Sequence, residues 1–126
     1  MSTRTEWQTA KANAKKANGN VEVKFSVKAD LGPLLDKYEA AKKVYEKLNS
    51  GDENKAWAKA AETYFAVAGE ANKALATYAV DVDKLTITHD AKEVIKNALG
   101  MKIGLPLRKS VDEGNKLKTR IAKAKQ

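Results

Sequence analysis

The chain has 126 residues, the size of one domain, and contains no cysteine, which excludes a disulfide scaffold, a Cys-ligated metal centre and a thiol nucleophile. Its apolar content is 43%, but 21 of those residues are alanine, so the core must be thin and closely packed, which suits helices better than a thick β-sandwich. The net charge is +8, with a single histidine, His89, and the charge is uneven: residues 84–126 carry +7, residues 1–20 carry +3 and residues 51–83 carry −3. Such asymmetry steers an anionic partner or favours head-to-tail self-association. The longest apolar run is Tyr64-Phe65-Ala66-Val67-Ala68, far short of a membrane span, and the polar start Met1-Ser2-Thr3-Arg4 lacks the apolar stretch of a signal peptide. A single cytoplasmic domain over 1–126 is therefore expected.

Residues 3–17 place Trp7, Ala10, Ala14 and Ala17 on one helical stripe, and Asn18-Gly19-Asn20 ends it. With only Trp7 as a large anchor, residues 1–20 read as the most loosely attached element. Trp7 either covers one end of the core or serves as an exposed anchor for another protein. Residues 21–28 change period: Val21, Val23, Phe25 and Val27 alternate with Glu22, Lys24, Ser26 and Lys28, the pattern of a half-buried strand.

Asp30 is a helix cap and Pro33 suits a first turn, opening a helix over 33–49 with Leu34, Tyr38, Ala41, Tyr45 and Leu48 on one stripe. Asn49-Ser50-Gly51 ends it, and Ser50 with Glu53 reads as a capping box for a helix over 52–79. There Trp57, Ala61, Tyr64, Ala68, Ala71, Leu75 and Tyr78 follow alternating spacings of four and three, a coiled-coil-like seam. The short connection makes the pair an antiparallel hairpin.

Val80 and Val82, then Leu85 and Ile87, alternate with polar residues with a phase slip at Lys84, which reads as a bulged partner strand for 21–28. Asp90 with Glu93 opens a helix over 90–99, stopped by Gly100. Met101, Ile103, Leu105 and Leu107 then alternate as a third, Pro-limited edge strand or an extended loop. Residues 108–126 form a basic C-terminal helix, with Leu107, Val111, Gly114, Leu117 and Ile121 inward. The expected fold is mainly α, an antiparallel helical hairpin with shorter flanking helices, made α+β by a small two- or three-stranded sheet.

Chemistry is sparse. Asp81, Asp83, His89 and Asp90 form the most site-like cluster, but one histidine cannot build a phosphohydrolase centre, and Leu85, Thr86 and Lys92 break a calcium loop. The simpler reading is turn acids, a cap and a surface histidine, so no metal or cofactor is assigned. No Gly-x-Ser-x-Gly elbow or P-loop occurs, and Glu62 and Glu70 read as solvent-facing carboxylates. Trp57, Tyr64 and Tyr78, with Tyr38 and Tyr45 opposite, read as bundle core and not as a ligand pocket, so a small-molecule ligand is not expected.

The functional expectation is a non-enzymatic interaction module, such as an inhibitor, immunity protein, adaptor, or phage or secretion component. It would bind an acidic protein surface, or its own, through Arg108, Lys109, Lys116, Lys118, Arg120, Lys123 and Lys125. The alternative is non-specific nucleic-acid binding, with the same basic helix on phosphates and Phe25 between Lys24 and Lys28. The 21 lysines against three arginines weigh against base-specific readout, and the inward phase of Phe25 makes it core before it makes it a stacking platform.

Overall fold

The computed structural model describes residues 2–27 and 30–126. Among these residues the order is α1 (Thr3–Ala17), α2 (Leu31–Asn49), α3 (Lys55–Lys84), α4 (His89–Asn97), a π-helical turn (Ala98–Lys102) and α5 (Gly104–Ala124). No strand occurs among them, so the small sheet expected from three alternating segments is not there.

The hairpin is the frame. Asn49 Oδ1 accepts from Trp57 Nε1 at 2.9 Å beside the turn, and Tyr78 Oη accepts from Leu31 N at 3.1 Å at the far end, so α2 and α3 run antiparallel over their whole shared length. All seven seam residues from Trp57 to Tyr78 are at most 5% exposed, and Val82, one turn further on, is fully buried. The alanines Ala58, Ala61, Ala68 and Ala71 have no exposed surface, which lets backbones approach closely where bulkier residues would hold them apart. Helix α5 runs antiparallel along α3: Ser110 meets Tyr64 and Arg120 reaches back to Glu53. Helix α1 packs on α2 and on α4, closing the bundle. Trp7 is wholly buried, its ring 5.5 Å from those of Phe25 and Tyr78, which makes it core and not an exposed anchor. Thr3 N and Oγ1 donate to Glu39 at one end of α1, and Thr88 Oγ1 donates to the Ala17 carbonyl at the other.

Each alternating segment has a different resolution. Residues 21–27 form no regular element and bend at Ser26; Val23, Phe25 and Val27 turn partly inward, onto the core that holds Trp7 and Tyr78, while Val21, also expected inward, is 63% exposed. Period-two burial reports an extended chain with one covered face; it does not require a paired strand. Ser26 N donates to Asp81 at 2.8 Å, replacing one ladder bond with a side-chain one. Lys28, the last residue of that expected strand, lies outside the described residues. Residues 80–84 continue α3, because Val82 follows Tyr78 by one turn and extends the seam, while Val80 points out at 57% exposure. Residues 101–107 split between the π-helical turn, where Ile103 N donates to Ala98 O at 2.9 Å, and the first turn of α5. Pro106 falls where no intrahelical donor is needed. Gly104 is obligatory there, since a Cβ would sit 2.2 Å from the Leu99 carbonyl oxygen.

Helix starts move accordingly. Asp30 does cap α2, accepting from Gly32 N at 3.2 Å, two residues earlier than the expected start allows. Asn54, not Ser50 with Glu53, caps α3 by accepting from Trp57 N, and Thr88, not Asp90, caps α4 by accepting from Ala91 N. Helix α5 begins at Gly104 and not at 108.

Candidate basic interface

The buried side of α5 (Leu107, Ser110, Ile121, with Val111, Gly114 and Leu117 half-buried) fixes its rotation, so the opposite side must face water. Lys109, Lys116 and Lys123 recur there every seven residues, about 10.5 Å apart along the axis. All three are exposed and make no ion pair among the described residues. Lys118 likewise makes no ion pair among the described residues and stands at the lip of a groove between α3 and α5, with Phe65 and Gly114 in its wall.

The other three basic residues singled out in this region are engaged inside the chain. Arg108 Nη2 donates to the carbonyl of Gly100 in the π-helical turn at 3.0 Å. Arg120 grips Glu53 through both Nε and Nη2, and Lys125 Nζ donates to Glu62 Oε2 at 2.9 Å. The Arg120 guanidinium holds the Glu53 carboxyl below its ordinary range. Sequence spacing could not reveal these partners, because they lie 63 and 67 residues away.

The acidic cluster is dispersed. Asp81 is buried and accepts from Ser26 N, while exposed Asp83 takes Lys96 at 2.5 Å, an ammonium that pulls its carboxyl down. His89 and Asp90 are exposed in the first turn of α4. Among the described residues, no three His, Asp or Glu side chains are grouped as ligands for a metal ion. Glu62 and Glu70 are exposed on α3.

The shifted titratable groups sit in the core or in these surface pairs. Burial pushes Tyr38, Tyr45 and Tyr78 up. Tyr38 and Tyr64 hydroxyls both lie on Ser110 Oγ, at 2.7 and 2.6 Å, and Ser110 Oγ donates to the Pro106 carbonyl at 3.1 Å. One donor and two acceptor sites of a serine hydroxyl are thereby all used. The aromatic stripe is thus packed and internally hydrogen-bonded, with Tyr45 stacked on Tyr64 at 5.1 Å. No helix among the described residues is long and apolar enough to cross a membrane.

Comparison with protein-family models, with curated proteins and with solved structures finds no match to this chain. Its function must be argued from its own surface.

Proposed function

We propose that this protein is a non-catalytic interaction module that binds an acidic partner protein, with the exposed side of α5 steering the encounter. The observation that carries the reading is the Lys109–Lys116–Lys123 row on the outward side of α5, with Lys118 on the flank that faces the α3–α5 groove: four exposed cations with no ion pair among the described residues, on a helix whose rotation the core locks. Lysines of this kind speed association and contribute little to the bound-state energy. The dispersal of Asp81, Asp83 and His89 and the absorption of the tyrosines into the core support a non-catalytic role. Phosphate binding by the same row is the competing outcome. The test is an affinity capture from the native host with and without nuclease, using the wild type and a variant with Lys109, Lys116, Lys118 and Lys123 changed to Gln. Acidic proteins retained after nuclease by the wild type and lost by the variant are the expected result. Capture that disappears with nuclease assigns the row to nucleic acid, and identical capture by both proteins removes the row from function.

A further inference from the structure

The surface of the α2–α3 hairpin opposite α5 carries a groove that no described element covers. Ala41, Val44 and Leu48 of α2 and Ala56 and Ala60 of α3 form its floor, a space of about 260 Å³. Val44 stands at its centre with 54% of its surface in water. The floor spans two turns of α2, about 10 Å, enough for the successive i and i+4 side chains of one docked helix.

The rim has a definite sign. Lys59 lines the groove. Lys37 lies one turn before Ala41 and Lys47 three residues after Val44, so helical spacing places both along its edges, and Lys55 stands one turn before Lys59. None makes an ion pair among the described residues. The acidic residues that could balance them are drawn elsewhere: Glu39 accepts from Thr3, Glu53 pairs with Arg120 and Glu62 pairs with Lys125. Residues 37–63 are thus left with six lysines against only Glu46 and Asp52. The folded chain concentrates positive charge around this apolar groove by turning Glu39, Glu53 and Glu62 of the hairpin toward α1 and α5.

From this we infer that the groove docks an amphipathic helix with an acidic polar face, contributed by a different protein, whose apolar side chains pack on Val44 while its carboxylates meet Lys37, Lys47, Lys55 and Lys59. A second copy docking through the same face is disfavoured, since two lysine rims would be juxtaposed. The inference rests on the reading that the partner is an acidic protein, and adds the apolar anchor that α5 does not supply.

The test uses the full chain, isotope-labelled for amide NMR, and three fluorescent synthetic peptides. One is helical with a Leu face and a Glu face, one has Lys in place of Glu, and one has the acidic composition in scrambled order. The acidic amphipathic peptide is expected to bind most tightly and to shift the amides of Ala41, Val44, Leu48, Ala56 and Ala60. Val44→Asp, at an exposed position that leaves the fold intact, is expected to weaken it by roughly tenfold or more, and Lys59→Glu to weaken it less. Shifts confined to α5 and indifferent to Val44→Asp overturn the groove while leaving the α5 reading standing. Equal binding of the basic peptide overturns the charge selection, and equal binding of the scrambled peptide overturns the docking of an apolar helix face. A concentration-dependent dimer of the wild type that Val44→Asp abolishes gives the groove to a second copy and overturns the inference.

Discussion

Ser110 is the residue on which the polar part of the core turns, and Ser110→Ala tests it. The hydroxyl removed accepts from Tyr38 and Tyr64, which are 1% and 3% exposed, so neither phenol can turn to water. A buried donor left without a partner costs about 1–3 kcal/mol. The two phenols can satisfy one another in part, which sets the expected loss at about 2–4 kcal/mol. With a urea slope of about 2 kcal/mol/M for a domain of this size, the midpoint falls by roughly 1–2 M without a change of slope. Urea titrations followed by far-ultraviolet ellipticity and tryptophan fluorescence read this directly. The decisive comparison is the variant in which Tyr38 and Tyr64 also become Phe. With all three hydroxyls removed and no phenol left without an acceptor, most of the lost stability should return, because apolar replacement of hydrogen-bonded partners together is nearly neutral. A loss below about 0.5 kcal/mol for Ser110→Ala, the range of ordinary surface substitutions, or no recovery in the triple variant, would refute the assignment of Ser110 as the shared acceptor.

Two glycines make an opposed pair. Gly69 has open space around its missing Cβ, so Gly69→Ala should stabilise α3 by about 0.5–1 kcal/mol. A Cβ on Gly114 would lie 2.7 and 2.9 Å from Phe65 Cγ and Cβ, atoms that a side-chain rotation cannot clear together, so Gly114→Ala should destabilise by about 1–2 kcal/mol despite its better helix propensity. Thermal melts of both variants check the signs. Alkaline pH supplies a further test. Tyr38, Tyr45 and Tyr78 are raised above their ordinary value of about 10 by burial, so the folded state keeps protons that the unfolded chain releases. Their contribution is complete below pH of about 10 and declines above it, by up to about 1.4 kcal/mol per pH unit for each tyrosine. Phenolate absorbance should therefore rise in step with loss of ellipticity, and ionisation of these tyrosines in a chain that stays helical would contradict their burial.

The helices were legible in the sequence because a stripe repeating every three to four residues has few other ways to be covered. The Trp57–Tyr78 seam, the α2 stripe and the Asp30 cap are local patterns, and local geometry alone makes them helix. Period-two alternation carries less information. At 21–27 it marks an irregular segment lying on the core, at 80–84 it is a few residues of a longer helical seam, and at 101–107 it runs from the end of a π-helical turn into α5. What separates these outcomes is whether another strand lies alongside, and that partner is a property of the assembled chain. The total positive charge was likewise readable from composition, but which cations remain unmatched was not. Arg120, Lys125 and Arg108 find their partners only when α5 lies against α3 and the turn before it closes, and the same docking draws Glu53 and Glu62 away from the lysines of the hairpin. Helix content follows from residue order because its hydrogen bonds span four residues; the functional surface follows from pairings that span more than sixty, and only folding brings those together.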